Sequence, residues 1–182
     1  MNTKSRRGIV ASALLASLFL FAPAVVSAVD KPALVDYGRA PELAGITAWL
    51  NSGPLTLAAL RGKVVLVDFW TYACVNCIRT LPHLADWHEK YKDKGLVIIG
   101  VHTPEFPFER STHNVEAAIR RHGIKYPVAQ DNRYATWKAY GNQYWPASYL
   151  IDRNGRIVYK RFGEGYYHET EIAIRSLLGS AH

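Results

Sequence analysis

Residues 63–82, KVVLVDFWTYACVNCIRTLP, contain an apolar run that is followed directly by both cysteines of the chain. The run at residues 63–70 is rich in valine and has the length of a strand, which predicts a central strand buried on both faces. From Cys77 onward, apolar and aromatic residues recur at spacings of three and four, which predicts an amphipathic helix ending near Gly95. Pro82 falls inside this helix, so we expect a kink there. The two cysteines therefore occupy a strand-to-helix turn.

The segments around this turn continue the alternation of strands and helices. Residues 96–103, LVIIGVHT, predict a second buried strand, and two strands joined through a helix are typical of a right-handed parallel βαβ unit. The patterns that follow predict a helix, a short strand, a helix, an antiparallel hairpin and a closing helix, at residues 114–124, 126–131, 133–141, 147–162 and 169–179. The sequence thus indicates an α/β fold with a central mixed sheet and helices on both faces.

The residues ahead of the first strand predict a smaller element. Residues 48–63, AWLNSGPLTLAALRGK, suggest a short strand, a turn at residues 51–54, and a second short strand or a helical turn. We interpret this segment as an N-terminal hairpin extension of the sheet.

The first 28 residues have the pattern of an export signal. Basic residues precede an apolar run at residues 9–22, and small residues follow before Val29. The run is short for the roughly 20 residues that a bilayer span needs, so we predict a signal peptide at residues 1–28, with a retained membrane anchor as the alternative. Residues 29–45 lack a clear period and are predicted to form a lead-in to a domain at residues 46–182.

Composition and charge limit the classes of partner. The 182-residue chain is 49% hydrophobic, enough for one compact domain whose fold does not depend on cysteines. Removing residues 1–28 takes away three positive charges and no negative ones, so the formal net charge falls from +7 to +4. We see no dense Lys and Arg cluster of the kind that binds phosphate backbones, and we expect no nucleic-acid partner.

The cysteine pair has three possible uses: a structural bridge, a metal site or a redox centre. A bridge that closes over two residues restrains little of the unfolded chain and stabilises the fold weakly. A metal site needs further ligands, and a copper site of Cys74, Cys77 and His102 is the alternative to consider, because His102 ends a parallel strand at the same sheet edge. His83 and His88 lack ligand spacing.

Redox chemistry suits the pair best. A cysteine at the start of a helix lies near unpaired backbone N–H groups and the positive end of the helix dipole, which favours thiolate. Cys74 is thus the candidate nucleophile, and Cys77, one turn further in, is expected to be more buried and to attack a mixed disulfide at Cys74. Asp68 lies inside the apolar strand, where burial would raise its pKa and fit it to act as a general base for Cys77.

A thiol peroxidase is a further alternative. Thr71 lies three residues before Cys74, as in the Thr-x-x-Cys motif of peroxiredoxins, but Val67 stands where that motif has a proline. We therefore rank this activity below disulfide exchange.

The sequence resembles the thioredoxin superfamily, and within it the TlpA/ResA-type thiol:disulfide oxidoreductases. The resemblance is greatest to the thioredoxin-like domain of DipZ-type proteins, and it covers the chain from about Pro41 to the C-terminus. Four ordered motifs carry it: DFWTYACVNCIRTLP, HTPEFPFE, YPVAQDN and YWPASYLID.

The resemblance implies a thioredoxin fold with an extra helix between the parallel strands. It implies that Cys74 and Cys77 are the redox pair, Asp68 the buried acid and Trp70 the aromatic residue beside the active site. Trp145 and Pro146 match the cis-proline segment, which in this superfamily packs against the disulfide and helps bind substrate.

Further expectations concern partners and location. We expect protein disulfide or thiol substrates, reduction by a membrane-bound electron donor, no cofactor, and a monomer that is periplasmic or secreted, with tethering to the inner membrane as an alternative. Tyr72 and Tyr144 are candidates for an apolar peptide groove. Glu105 and Gln130 follow predicted parallel strands and could tune the cysteines.

Overall fold

The computed structural model describes Met1 and residues 32–179, and all of these except Met1 belong to one compact unit, Lys31–His182. Six strands occur in this part of the chain: β1 Ala48–Leu50, β2 Val64–Trp70, β3 Leu96–His102, β4 Val128–Gln130, β5 Ala147–Ile151 and β6 Ile157–Phe162. Its α-helices are α1 Val75–Tyr91, α2 Thr112–Arg121, α3 Ala135–Ala139 and α4 Tyr167–Gly179. Short 3₁₀ turns at Lys92–Lys94 and Pro107–Arg110 complete the elements.

The strands form one mixed sheet in the order β1-β4-β3-β2-β5-β6. β2, β3 and β4 are parallel, whereas β1, β5 and β6 pair antiparallel with their neighbours. β2 lies between β3 and β5, and all seven of its residues are buried. A strand with neighbours on both sides and layers on both faces has no polar face, which explains why every residue of β2 except Asp68 is apolar.

Alternate residues of β2 face two separate layers of core. Val64, Leu66 and Trp70 pack with α1, α2 and α4, whereas Val65 and Phe69 pack with α3 and the segment before β2. Side chains of a strand alternate between the faces of its sheet, so one seven-residue strand supports both layers. The predicted α/β fold, with a mixed sheet and helices on both faces, is confirmed, and α2 is the extra helix between the parallel strands.

The predicted hairpin extension is wrong in its pairing. β1 pairs antiparallel with β4, with Trp49 opposite Ala129, and residues 57–62 form turns, so of the two alternatives the helical turn is confirmed and the second strand is wrong. The Asn51 side chain donates hydrogen bonds to the carbonyls of Ile124 and Tyr126, at 2.9 and 3.1 Å, which holds the end of β1 beside the segment leading into β4.

The predicted lead-in covers the outer edge of the sheet. The N–H groups of Val35 and Tyr37 donate to Val158 and Ile157 of β6, both at 2.9 Å. The predicted signal peptide lies outside the described residues apart from Met1. Within residues 32–179, no helix has the length and apolar character needed to cross a bilayer.

Candidate active site

The cysteines lie at the turn between β2 and α1. Cys74 is the N-cap of α1, and its Sγ accepts a hydrogen bond from the backbone N–H of Cys77 at 3.2 Å. An N-cap acceptor takes one of the N–H groups that the first helical turn leaves unpaired. Cys74 is half-buried and Cys77 is fully buried, and both are free thiols. The predicted difference in burial between the two cysteines is confirmed.

The surroundings of the two thiols move their pKa values in opposite directions. The thiol of Cys77 donates to Cys74, and this bond, with the backbone N–H groups of Cys77 and Asn76, lowers the pKa of Cys74 to about 7, against an opposing effect of burial and of the Glu105 charge. Burial raises the pKa of Cys77 far above its usual range, and the hydrogen bond to Cys74 adds to the rise. Cys74 is therefore the sulfur that ionises first near neutral pH.

Asp68 is a buried carboxyl group on β2, with 1% of its surface exposed. The Ser148 hydroxyl donates to its Oδ1 at 2.7 Å across the β2–β5 pair. Burial raises the pKa of Asp68 to about 7, although the Ser148 bond opposes the rise, and the charge of Cys74 adds to it. The charge of Asp68 in turn raises the pKa of Cys77. Proton occupancy at Asp68 is thus coupled to both sulfurs.

The strand beside Asp68 carries a glycine for reasons of space. Gly100 of β3 is opposite Asp68, and a Cβ atom there would lie 3.0 Å from Trp70 Nε1 and 3.1 Å from Tyr126 Cε2. Trp70 and Tyr126 are both fully buried, and among the described residues 32–179 neither Trp70 Nε1 nor the Tyr126 hydroxyl has a hydrogen-bond partner. The structure therefore places Trp70 in the core beneath the cysteine turn, away from any surface that substrate could touch.

The Trp145–Pro146 peptide bond is cis, as the resemblance implies. Pro146 is buried and precedes Ala147, which pairs with Phe69 near the end of β2 from which the cysteine turn leaves. Trp145 Nε1 donates to the Thr103 carbonyl at 3.0 Å, so the proline segment is joined to the end of β3. Tyr144, two residues before Pro146, is exposed.

Glu109 is a site residue that our sequence analysis missed. Its carboxylate is fully buried and accepts from the Thr71 hydroxyl and the Ala73 N–H through Oε1, the latter at 3.0 Å. Oε2 accepts from the N–H groups of Glu105 and Phe106, at 2.6 and 2.8 Å. One carboxylate thus joins the turn before Cys74 to the loop after β3. The sequence carries no local signal for this role, because Glu105 in the same HTPEFPFE motif is exposed, as are Phe106 and Phe108.

The alternative copper site is not formed. His102 is fully buried, its Nε2 lies 3.4 Å from the Thr71 hydroxyl, and its ring stacks on Tyr72 with centroids 5.5 Å apart. Burial lowers the pKa of His102 to about 4. No group of three His, Cys, Asp or Glu side chains within residues 32–179 could hold a metal ion. The strand end brings His102 to the correct edge, but its ring packs between aromatic neighbours.

The remaining predicted residues have different environments. Gln130 is buried and bonds to Thr112, to the Arg110 carbonyl and to Asn132, which gives it a structural environment. Glu105 is exposed, and its charge acts on Cys74. The Thr71 hydroxyl donates to Glu109, so its hydrogen is engaged there and not at Cys74. This contact removes the structural basis for the peroxidase alternative.

The profile of the Redoxin family matches residues 38–174, which include every element of the sheet and the cysteine turn. The chain belongs to the Redoxin family. Protein DipZ of Mycobacterium tuberculosis (strain CDC 1551 / Oshkosh) is 54% identical over 147 residues, which make up 79% of this chain and 21% of DipZ. The chain therefore spans about one fifth of the length of this relative.

Two other similar proteins are covered along most of their length. Thiol-disulfide oxidoreductase ResA of Bacillus thuringiensis (strain Al Hakam) is 32% identical over 128 residues, 70% of this chain and 71% of ResA. The crystal structure of a thiol-disulfide isomerase from Corynebacterium glutamicum is 30% identical, with a TM-score of 0.70, over 78% of this chain and 98% of that chain. The resemblance to ResA-type and DipZ-type proteins is confirmed, and the chain belongs to the family of thiol-disulfide oxidoreductases.

Proposed function

We propose that this protein exchanges disulfides with protein substrates outside the cytoplasm through Cys74 and Cys77, and that it acts as a reductant. The observation that carries the proposal is the pair of sulfurs at the start of α1, one half-exposed with a pKa near neutrality and the other buried beside Asp68. A half-exposed thiolate can reach a substrate disulfide, whereas a buried thiol can react only with the mixed disulfide that forms at the neighbouring cysteine.

The reaction has two exchange steps. The Cys74 thiolate attacks one sulfur of the substrate disulfide, forms a mixed disulfide and releases the other substrate sulfur as a thiolate. Cys77 then loses its proton to Asp68 and attacks Cys74 Sγ, which breaks the mixed disulfide and releases the second substrate thiolate. The dithiol becomes a disulfide, the substrate gains two electrons, and its thiolates take up the two protons that the cysteines gave up.

The acidity of Cys74 supports the proposed direction of electron flow. Strongly oxidising foldases have a nucleophilic cysteine with a pKa of about 3.5, whereas thioredoxin has a value of about 7. A more stable thiolate makes the reduced form more stable and the protein more oxidising. The pKa of about 7 for Cys74 supports the reducing direction.

The proposal includes a location and a partner. Residues 1–28 would direct export, which gives a periplasmic or secreted protein, tethered if the segment is retained. Because each turnover oxidises Cys74 and Cys77, a membrane-bound dithiol donor would restore them, and the protein itself would act as a monomer. Substrates would be proteins that carry disulfides or thiols.

Insulin reduction with dithiothreitol as donor tests the activity. We expect the wild-type protein to accelerate precipitation of the insulin B chain and Cys74→Ser to abolish the acceleration. Cys77→Ser is the matched control, because it keeps the nucleophile and should accumulate a mixed disulfide visible by mass spectrometry. Full activity of Cys74→Ser would refute the mechanism.

The reduction potential tests the direction. Equilibration of the Cys74–Cys77 pair with glutathione should give a value near the roughly −270 mV of thioredoxin. A value near the roughly −120 mV of the oxidising foldase DsbA would reverse the assignment.

A further inference from the structure

The loop after β3 presents two exposed phenylalanines. The side chains of Phe106 and Phe108 are 46% and 57% exposed, and their rings stack in parallel with centroids 5.6 Å apart. Tyr72, two residues before Cys74, lies 6.2 Å from Phe108 between ring centroids. Solvent-exposed aromatic rings that lie side by side form an apolar surface that a binding partner could bury. We name Tyr72, Glu105, Phe106 and Phe108 the insert surface.

The insert surface is held in place against the cysteine turn. The Tyr72 hydroxyl donates to the Phe108 carbonyl at 2.9 Å. Glu109 accepts from the N–H groups of Ala73, Glu105 and Phe106, and Ala73 is the residue immediately before Cys74. A surface whose backbone is already fixed loses little conformational entropy when a partner binds. These bonds also place the insert surface beside the reacting sulfur.

Glu105 gives the insert surface a negative charge. It is exposed, and within residues 32–179 its carboxylate forms neither an ion pair nor a hydrogen bond. Its negative charge acts to raise the pKa of Cys74. This local charge is opposite in sign to the formal net charge of the chain. A carboxylate beside aromatic faces attracts a cation, and the guanidinium group of arginine also stacks on such faces.

We propose that the insert surface is the docking site for substrate polypeptides in which the reacting cysteine is flanked by an apolar residue and an arginine or lysine. The apolar side chain packs on Phe106 and Phe108, and the cation lies near Glu105 while Cys74 attacks the neighbouring disulfide. Substrates with acidic residues at the same positions are repelled by Glu105. This proposal rests on the proposed disulfide reduction and names the substrate class that the same site prefers.

The test uses three disulfides and the full-length protein. Two are peptides that each contain one cysteine, which forms a disulfide with the same second thiol. The two peptides are identical except that the cysteine is flanked by Leu and Arg in one and by Leu and Glu in the other. The third is hydroxyethyl disulfide, which is small and uncharged. The measured quantities are the ratios of kcat/KM between these disulfides, because a ratio cancels any change in the intrinsic reactivity of Cys74.

We expect wild-type protein to prefer the arginine peptide over the glutamate peptide by about tenfold. Glu105→Gln should reduce this preference to about twofold, since it removes the exposed charge that attracts the arginine peptide and repels the glutamate peptide. The double variant Phe106→Ala, Phe108→Ala should lower the ratio of arginine peptide to hydroxyethyl disulfide about tenfold. Two exposed residues provide matched controls. Asp93→Asn changes an acid just after the C-terminal end of α1, and Tyr37→Ala changes an aromatic residue beside Ile157, the first residue of β6. Neither control should change the ratios.

Two results would overturn the proposal and can be told apart. If wild-type protein reduces all three disulfides but the ratios do not respond to Glu105→Gln or to the phenylalanine variant, the docking surface is wrong and the proposed function stands. If wild-type protein reduces none of them, the proposed function fails and the docking surface fails with it.

Discussion

Cys74, Cys77 and Asp68 form a set of three groups whose protons depend on one another. The thiol of Cys77 donates to Cys74, and Asp68 shares the buried side of the turn with Cys77. Each ionised group makes ionisation of the next more costly, so the set loses protons in steps that belong to the group as a whole. Ionisation of Asp68 is the energetically costly part of this arrangement, because its carboxyl group is fully buried and accepts a hydrogen bond from the Ser148 hydroxyl.

Replacing Asp68 by Asn should stabilise the protein at alkaline pH. Asp68 titrates near pH 7 in the folded state and near 3.8 when unperturbed, so above pH 4 the unfolded state releases the proton more readily. Wild-type stability should therefore fall as pH rises from about 4 through 7, and Asp68→Asn should be more stable by about 2 to 4 kcal/mol at pH 8. Urea unfolding at pH 4.5 and pH 8 measures the difference, which should be about a quarter as large at the lower pH. An equal difference at both pH values would show that Asp68 ionises normally.

Replacing Cys77 by Ala should raise the pKa of Cys74. The thiol of Cys77 is the largest cause of the lowered value, and a hydrogen bond to a charged sulfur stabilises the thiolate. We expect the midpoint of Cys74 alkylation by iodoacetamide to move from about pH 7 upward by about one to two units. Cys77→Ser is the control, because its hydroxyl can still donate, and its midpoint should stay closer to that of wild type. Identical midpoints for Cys77→Ala and wild type would contradict the assignment of this bond.

At the scale of elements, the loop between β3 and α2 is joined to the cysteine turn by Glu109. The carboxylate accepts four hydrogen bonds, two from each side, and has no cationic partner among residues 32–179. A charge buried in this way is stabilised by backbone and hydroxyl dipoles alone. The geometry of Ala73, and with it the N-cap position of Cys74, thus depends on an element that begins beyond β3.

Replacing Glu109 by Gln should loosen this junction. The side-chain amide has one oxygen in place of two, so either Thr71 and Ala73 or Glu105 and Phe106 would face an N–H donor. We expect a loss of about 2 to 4 kcal/mol in the free energy of unfolding. Amide hydrogen exchange should also become faster at Ala73, Glu105 and Phe106 than at the amides of β2.

A matched variant separates this junction from the rest of the loop. Thr71→Val removes a single donor and leaves both carboxylate oxygens, so it should cost about 1 kcal/mol and leave the Glu105 and Phe106 amides protected. Equal stability of Glu109→Gln and wild type would show that the carboxylate does not join the two segments.

At the scale of the whole molecule, the chain before β2 acts at both sides of the sheet: it adds β1 as the edge strand beside β4, and it covers the outer edge of β6. β1 comes from the segment before β2 and covers β4, and residues 35–40 run along β6. An open edge strand presents unpaired N–H and C=O groups to other chains. The lead-in therefore protects the sheet as well as preceding it.

Removal of the residues before residue 41 should destabilise the fold and promote self-association. It removes the backbone bonds from Val35, Tyr37 and Ala40 to residues 155–158, the bond from the Ile157 N–H to the Gly38 carbonyl, and the ion pair of Asp36 with Arg156. We expect a loss of about 2 to 4 kcal/mol in urea unfolding and a larger apparent size in gel filtration at high concentration. A chain that begins at residue 33 keeps these contacts and is the control. Equal stability of the two chains would show that the lead-in does not support β6.

The sequence by itself determined the elements and the placement of the cysteines. A continuous valine-rich run specifies a buried strand, apolar spacings of three and four specify a helix, and Cys-x-x-Cys between them must lie at the start of that helix. These patterns are local, because each depends on residues a few positions apart. The fold class, the burial of Cys77 and the cis bond before Pro146 followed from local pattern and resemblance together.

Only the tertiary structure decided which distant residues meet at the site. The Ser148 hydroxyl reaches Asp68 from another strand, Glu109 reaches the turn from beyond β3, and His102 packs between aromatic rings and not beside the sulfurs. β1 likewise finds its partner in β4 and not in the adjacent segment. The physical reason is that a buried polar group lies where packing leaves it a partner, and that partner is chosen by the approach of strands and loops far apart in sequence.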